Sequence, residues 1–185
     1  MPELYSFLPQ EWRAEISNCE DICKAIDARL MKSNFIPQRD QIFAALRVPP
    51  NAISVVIVGQ DPYPNPSDAM GVAFSVPRER PLPASLRNIA KELESDCGVI
   101  MEHGDLDKWV SQGVLLLNQI LTTESGLSMA HADYGWERLT EEILKVAART
   151  HPVVILFGKK AERFQAIFDP KQIIKTPHPS PLSAY

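Results

Sequence analysis

Short apolar runs that alternate with amphipathic stretches constrain the fold of this chain more than any other feature. The runs occupy residues 53–58, 113–118 and 152–157, and the segment QIIKT over residues 172–176 is the fourth predicted strand. Continuous apolar strands of this length are typical of parallel sheets that are covered on both faces. The helical segments between the strands would supply that cover. The alternation therefore predicts an α/β fold, with three layers (α/β/α) around a central four-stranded, mostly parallel sheet.

Helical spacing of apolar residues fills most of the intervals between these runs. It predicts helices over residues 9–34, 39–46, 85–96, 135–150 and 159–168. Ser85 is the expected N-cap of the third helix, and Pro49 follows the second as a helix breaker. No linker or repeat divides the chain, and its 185 residues can close one hydrophobic core. We therefore expect a single domain over residues 1–185, in which residues 1–50 form a helical N-terminal part.

Charge and cysteine content disfavour several classes of function. The formal net charge of −4 argues against a protein that coats nucleic acid through bulk positive charge, but it allows a local cationic or amide-lined groove. Cys19, Cys23 and Cys97 show no paired CxxC spacing, which favours reduced thiols over a zinc or iron–sulfur site. No apolar run approaches the about 18 residues of a membrane span, and no signal pattern is seen. We expect a cytoplasmic protein that uses no metal or cofactor.

Polar side chains lie at or just beyond the ends of three predicted strands, at one edge of the predicted sheet. Asp61 comes after the first strand on a proline-rich loop, Asn118 ends the second, and His178 follows the fourth within PHPSPLS. Parallel α/β sheets bind ligands beyond the carboxyl ends of their strands. Taken singly, Asp61 and Asn118 fit turn residues, His178 fits a surface loop, and Phe74 fits the core. Their convergence at one edge favours a site, although these patterns alone name no reaction.

Three motifs in a fixed order make the sequence resemble family 1 uracil-DNA glycosylase. They are GQDPYP, VLLLN followed closely by LT, and HPSPLS. The segments GVAFSV, SLRNIAKEL, HGDLDKWVSQGVLLLN and GWERLTEEIL are also similar to that family, so the resemblance extends over residues 53–185. HPSPLS alone fits a chance Pro/Ser loop, whereas the ordered set is very specific.

The resemblance implies hydrolysis of the N-glycosidic bond between uracil and deoxyribose in DNA, the reaction that starts base excision repair. Such enzymes flip the target nucleotide out of the stack. In the family, the residue that Asp61 matches orients the attacking water and faces the sugar, and the residue that His178 matches donates to uracil O2. The implied partner is uracil-containing DNA. We expect a monomer, and the resemblance implies no cofactor.

Four further positions match the base-binding residues of the family. Asn118 matches the amide that donates to uracil O4 and accepts from N3–H, and Tyr63 matches the ring that fills the space of the thymine methyl group. Phe74 matches the aromatic residue that stacks on the flipped base. Gln60 matches a residue that contributes backbone contacts beside the base. The resemblance thus implies discrimination of uracil from cytosine and thymine.

Serines and a leucine match the positions that hold DNA in this family. Ser85, Ser180 and Ser183 match serines that bind and compress the phosphate backbone around the lesion. Hydroxyls, backbone amides and a helix N-terminus can hold phosphates without a large positive charge. Leu182 matches the apolar wedge that enters the space left by the flipped base. These positions reconcile DNA binding with the acidic net charge.

The chain departs from the usual pattern of the family at several places. Pro64 stands where the family commonly has a His that contacts phosphate, and Met70 replaces a second His. Lys159 and Lys160 follow the third apolar run, where they fit either a replacement for lost phosphate affinity or a solvated surface. Family members generally continue beyond the position of Tyr185, so both a compact variant and a truncated chain are compatible with the sequence.

Two other classes of protein compete with this interpretation. One is a catalytically weakened relative that binds uracil-DNA or a protein partner, and the intact Asp61 and His178 argue against it. The other is a glycosylase of a different family with broader substrates or a metal cluster. An iron–sulfur cluster would be expected to use four thiolates, and the chain has three cysteines. The prediction is therefore a working uracil-DNA glycosylase.

Overall fold

A four-stranded parallel sheet lies at the centre of the computed structural model, which describes residues 3–16 and 18–183. The strands are β1 (Val55–Gly59), β2 (Val114–Asn118), β3 (Val153–Phe157) and β4 (Ile173–Thr176). Their order across the sheet is β2-β1-β3-β4, and every neighbouring pair is parallel. The predicted four-stranded α/β fold is confirmed, and the whole sheet is parallel.

The path of the chain across the sheet reverses direction after β2. The first crossover leads from β1 to β2 on one side, whereas β2 crosses back over β1 to β3 and the chain continues to β4 on the other side. Because crossovers between parallel strands are right-handed, this reversal places helices on both faces of the sheet. It also opens a crevice beyond the carboxyl ends of β1 and β3, where sheets of this kind bind ligands.

Strand register aligns the ends of the four strands at this crevice. Gly59 pairs with Asn118 where β1 and β2 end, and Phe157 pairs with Thr176 where β3 and β4 end. The first loop residue after β2 is also fixed, because Gln119 N–H donates to Gly59 O at 3.0 Å. The loops that follow the strands therefore start side by side from fixed positions.

Helices of varied length connect and flank the strands. The α-helices of the described residues are α1 (Gln10–Arg13), α2 (Cys19–Leu30), α3 (Ala84–Cys97), α4 (Asp107–Ser111), α5 (Trp136–Ala147) and α6 (Gly158–Ala161). The 3-10 helices are Leu4–Phe7, Arg39–Gln41, Ala44–Arg47, Pro50–Ala52, Ala148–Thr150, Glu162–Ile167 and Pro170–Gln172. Helices α3 and α4 lie between β1 and β2, α5 lies between β2 and β3, and α6 follows β3.

The N-terminal helix that the sequence predicted over residues 9–34 is interrupted. Helix α1 ends at Arg13, and Asn18, with a φ of 55°, precedes α2. A residue in the left-handed region breaks a right-handed helix, so the apolar pattern is shared between two helices. The helix predicted over residues 39–46 is wrong as an α-helix, because this segment forms two 3-10 turns.

Apolar residues of the sheet and of the N-terminal helices form one core. Beyond their first residues, β1 and β2 are buried throughout, whereas β4 is an edge strand in which Ile174 is 52% exposed. The fully buried Trp12 of α1 donates from Nε1 to Leu46 O at 3.0 Å and Val48 O at 3.1 Å. The N-terminal part is therefore packed into the same hydrophobic core as the sheet.

Candidate active site

A cavity of about 1000 Å³ opens at the carboxyl ends of the strands. It is lined by loops that follow β1, β2, β3 and β4, and by the start of α3. The structure brings all of the site residues predicted from the sequence to this cavity: Gln60, Asp61, Tyr63, Phe74, Ser85, Asn118, His178, Ser180, Leu182 and Ser183. The convergence predicted from the strand ends is therefore present in the fold.

Asp61 is held at both of its carboxylate oxygens. Gln60 Nε2 donates to Oδ1 at 3.0 Å, while Ser128 Oγ and Met129 N–H donate to Oδ2 at 2.8 and 2.6 Å. Met129 has a φ of 61°, a backbone conformation that a side chain of this size rarely adopts. Strain of this kind is concentrated at functional sites. The loop after β2 thus reaches across to orient the carboxylate that follows β1.

His178 presents its Nε2–H as a hydrogen-bond donor. Ser180 N–H donates to His178 Nδ1 at 3.1 Å, so the proton of the neutral imidazole is on Nε2. Burial lowers the pKa of His178 from its ordinary value of 6.5; Asp61 acts in the opposite direction, and Lys160 lowers the pKa further. The imidazole is therefore neutral at pH 7.

Two glycines allow close approaches within the site. A Cβ added to Gly59 would lie 2.2 Å from Asn118 Oδ1, so the amide occupies space that only glycine leaves open. Gly158 has a φ of +75°, and an added Cβ would lie 3.2 Å from His178 Cβ. Both the amide that ends β2 and the imidazole that follows β4 are therefore packed directly against backbone.

An aromatic group forms one wall of the cavity. Phe74 is 9% exposed, and its ring centroid lies 5.5 Å from that of Phe157 and 6.1 Å from that of His178. Its φ of 66° makes Phe74 a second strained residue at the site. Tyr63 Oη donates to Phe74 O at 3.2 Å, and burial raises the pKa of the Tyr63 phenol. The two rings therefore have fixed positions.

The loop over residues 178–183 is anchored to α3. Asn88 Nδ2 donates to Pro179 O at 2.8 Å, and Ser183 N–H donates to Ser180 O at 2.9 Å. Leu182 at the tip is 97% exposed. An apolar side chain is thus displayed to solvent on a loop whose base is fixed.

Ser85 is not the N-cap that the sequence predicted. Helix α3 begins at Ala84, with Pro83 at the N-cap position, so Ser85 lies within the first turn. Its hydroxyl makes no hydrogen bond within the part of the chain that the structure describes, and the same is true of the hydroxyls of Ser180 and Ser183. These three side chains face the cavity with their hydrogen-bonding capacity unused.

Lysines supply positive charge on the β3–β4 side of the cavity. Lys159, Lys160 and Lys175 contribute to its lining. Lys175 is hydrogen-bonded to Gln165 and lies 3.9 Å from Glu162, whereas Lys159 and Lys160 are exposed and form no ion pair among the described residues. The local charge of the cavity edge therefore differs from the acidic net charge of the chain.

Comparison with known proteins identifies the family. A family model described as "Uracil DNA glycosylase superfamily" matches residues 47–185. The chain belongs to this superfamily. Uracil-DNA glycosylases of Chlamydia trachomatis serovar L2b and Streptococcus pyogenes serotype M6 are 39% and 44% identical to it; these matches cover 96% and 99% of this chain and 83% of each relative. The crystal structure of mimivirus uracil-DNA glycosylase superposes with a TM-score of 0.86 at 31% identity, covering 98% of this chain and 72% of that one.

Some residues at this uracil-DNA glycosylase superfamily site had no signal in the sequence. Ser128 and Met129 lie in the loop between β2 and α5, but outside its LT pair and outside every other motif of the sequence. Asn88 lies one turn after Ser85 on α3, and this spacing could have shown that the two residues share a helix face. Phe157 reads as a core residue that ends a strand, and in the fold it packs against Phe74 and His178.

The residue types around the cavity fit chemistry by acids, bases and hydrogen bonds. Within residues 3–16 and 18–183, no group of His, Cys, Asp or Glu side chains is arranged to hold a metal ion. Cys19 and Cys23 are buried in α2, and Cys97 is exposed at the end of α3.

Across the described residues, 3–16 and 18–183, no helix combines the length and apolar character needed to cross a membrane.

Proposed function

We propose that Asp61 and His178 act on opposite ends of the scissile bond in a flipped deoxyuridine. As a uracil-DNA glycosylase, the chain hydrolyses the N-glycosidic bond of uracil in DNA, the reaction that starts base excision repair. The observation that carries the assignment of roles is that a carboxylate held at both oxygens and a neutral imidazole donor line one cavity. Cleavage produces positive charge on the sugar and negative charge on the leaving base. The carboxylate can stabilise the sugar, and the imidazole N–H can stabilise the base.

Asp61 would orient the attacking water and stabilise the sugar cation. Its three donors are neutral, so they fix the direction of the carboxylate while its negative charge is retained. A carboxylate with a fixed orientation needs no rearrangement as positive charge develops on the sugar.

His178 would donate from Nε2 to uracil O2 as the base leaves. The proton is placed on Nε2 by the bond from Ser180 N–H to Nδ1, and burial keeps the ring neutral by lowering its pKa. A neutral imidazole donates without placing a full positive charge beside the sugar cation. This hydrogen bond would be strongest in the transition state, because negative charge has then moved onto the base.

The pocket for the base would be formed by Asn118, Tyr63, Phe74 and Gln60. Asn118 is 8% exposed, so cytosine would leave a buried amide with a mismatched partner, at a cost of about 1–3 kcal/mol. Tyr63 is held by its bond to Phe74 O, which supports its proposed place beside uracil C5. The ring of Phe74 would stack on the base, and Gln60 would contribute backbone contacts while its side chain holds Asp61.

DNA would be held by the unused serine hydroxyls and by Leu182. Ser85 lies in the first turn of α3, where backbone N–H groups and the helix dipole also favour phosphate. Ser180 and Ser183 would bind the backbone next to the lesion, and the exposed Leu182 would fill the space left by the flipped nucleotide.

We also propose membership of family 1, with an altered loop around Pro64. The ordered motifs support this assignment, since residues from all of them line the cavity. Pro64 offers no side-chain donor, but its carbonyl accepts from Gly126 N–H at 2.8 Å. Lys159 and Lys160 would supply phosphate affinity instead of the usual His, which is supported by their exposure at the edge of the cavity.

We propose that the protein is a single-domain monomer in the cytoplasm. Residues 1–185 would act as one domain, which is supported by the shared core of the N-terminal part and the sheet. The monomer expected from the sequence stays a proposal. The odd number of cysteines supports a reducing, cytoplasmic location.

Release of uracil in the presence of EDTA tests this function. Wild-type protein is incubated with a uracil-containing oligonucleotide, free uracil is quantified, and abasic sites are revealed by strand breakage in hot alkali. We expect free uracil and breakage, and an at least about 100-fold lower rate for Asp61→Asn, the scale of losing a main electrostatic group.

The result that contradicts the proposal is equally specific. Binding of uracil-DNA without release of uracil would favour the catalytically weakened relative. Complete dependence of release on an added divalent metal would contradict the roles given to Asp61 and His178.

A further inference from the structure

We propose that Ser128 is a positioning residue for Asp61, an inference that rests on the proposed function of this carboxylate. Ser128 belongs to the loop between β2 and α5, and it matches none of the motifs by which the family was recognised. Its hydroxyl donates to Asp61 Oδ2 at 2.8 Å. The role of Ser128 would be to keep the carboxylate aimed at the attacking water.

Asp61 accepts three hydrogen bonds, two from side chains and one from a backbone N–H. Gln60 Nε2 holds Oδ1, Ser128 Oγ holds Oδ2, and Met129 N–H holds Oδ2 as well. Rotation of the carboxylate about its Cβ–Cγ bond would lengthen the contacts at both oxygens. With Ser128 removed, Oδ2 keeps only the bond from Met129 within the described part of the chain, so the range of accessible carboxylate orientations widens.

The loop that carries Ser128 is itself fixed, so the hydroxyl has a defined position. Gly126 N–H donates to Pro64 O at 2.8 Å, which joins this loop to the loop of Asp61. Thr123 Oγ1 donates to Leu127 O at 2.5 Å and accepts from Ala130 N–H at 3.2 Å. These bonds hold the loop on either side of Ser128.

Ser128 lies at an exposed position, where its side chain can affect the reaction without being needed for folding. The side chain is exposed and lines the cavity, and its hydroxyl makes no other hydrogen bond among the described residues. A surface serine of this kind contributes little to the free energy of unfolding. Its loss should therefore affect the reaction more than the fold.

Three variants test the proposal: Ser128→Ala, which removes the hydroxyl; Ser128→Thr, which keeps it; and Ser125→Ala as a control. Ser125 is an exposed serine of the same loop. Single-turnover uracil release is measured with enzyme in excess, and the dissociation constant is measured with an oligonucleotide that contains a non-cleavable 2′-fluoro-deoxyuridine.

We expect Ser128→Ala to cleave about tenfold more slowly than the wild type, which corresponds to about 1.4 kcal/mol, and to bind the uncleavable DNA within about twofold of the wild type. Ser128→Thr should recover most of the rate because its hydroxyl can make the same bond. Ser125→Ala should match the wild type in both measurements.

Each contrary outcome has a distinct meaning. An inactive wild type would overturn the proposed function and this inference together. If the wild type is active, the inference alone is overturned by a Ser128→Ala rate within about twofold of the wild type, by a loss that Ser128→Thr does not restore, or by an equal loss in DNA binding.

Discussion

At the scale of single residues, the direction of a few polar groups determines what the site can do. Ser180 N–H decides that His178 carries its proton on Nε2. Gly59 provides the space that the Asn118 amide occupies. The imidazole and the amide could each adopt other orientations about their own side-chain bonds, and the neighbouring backbone selects one of them. The direction in which each of these two groups faces the cavity therefore depends on its backbone neighbours.

Substitution of Tyr63 tests how the site excludes thymine. Tyr63→Ala should admit thymine, because the ring that would meet its methyl group is removed. Tyr63→Phe is the matched control, since it keeps the ring and loses only the bond to Phe74 O. Excision of thymine and of uracil from otherwise identical oligonucleotides is measured for both variants.

We expect thymine excision by Tyr63→Ala to rise at least about tenfold, the scale of one methyl group in a tight pocket. Tyr63→Phe should continue to exclude thymine. A Tyr63→Ala variant that excises uracil well and still rejects thymine would contradict the placement of this ring beside C5.

At the scale of secondary-structure elements, helix α3 has two functions in the proposed site. Its first turn presents Ser85 to the cavity, and one turn later Asn88 holds the loop that contains His178 and Leu182. Movement of this helix would change phosphate binding and the position of the imidazole together.

Substitution of Asn88 tests this connection. Asn88→Ala removes the donor to Pro179 O and should loosen the loop over residues 178–183. Affinity for uracil-containing DNA should fall by about 3- to 10-fold, the value of one hydrogen bond. Ser95→Ala, at an exposed position of the same helix, serves as the control. Equal affinities for the two variants in a binding titration would show that the loop needs no anchor on α3.

Three strands of the sheet were recognisable because β1, β2 and β3 are largely continuous apolar runs between turn residues, whereas β4 carries only the apolar pair at its start. The meeting of Asp61, Asn118 and His178 followed from topology, since parallel strands bring their carboxyl ends to one edge. The break at Asn18 was not predictable, because the apolar spacing continues across it. The contact of Ser128 with Asp61 was hidden for a similar reason: it depends on the fold of a loop, and hydrophobic periodicity carries no information about loops.

At the scale of the whole molecule, a fully buried and a partly buried imidazole make stability depend on pH. Burial lowers the pKa of His131 from 6.5, although Glu124 and Asp133 act in the opposite direction, and burial also lowers the pKa of His178. His131 is fully buried, and its Nδ1 lies 2.8 Å from Thr122 Oγ1. Both rings take up a proton more readily when the chain unfolds.

The direction of the pH effect follows from this difference. The contribution of the two neutral imidazoles to the free energy of unfolding is fully present above pH 6.5. It is lost as the pH falls from 6.5 through the lower pKa values that the two histidines have in the folded state. Each histidine contributes at most about 1.4 kcal/mol per pH unit to the slope.

Urea unfolding between pH 7.5 and pH 5.5 measures this slope. His131→Gln should show a smaller decrease in the free energy of unfolding across the range than the wild type, whatever its absolute stability. His151→Asn, at an exposed histidine, should leave the slope close to that of the wild type. Equal slopes for the wild type and His131→Gln would contradict the account.

The exposure of Leu182 has a consequence for the thermodynamics of DNA binding. A leucine in a core stabilises the folded chain, whereas Leu182, at 97% exposure, leaves its apolar surface in water until a partner covers it. Full burial of such a side chain is worth about 1.5–3 kcal/mol, and here that free energy would appear on association with DNA. The heat capacity of the complex should then lie below the sum for its separate components, because apolar hydration disappears when the leucine enters the duplex.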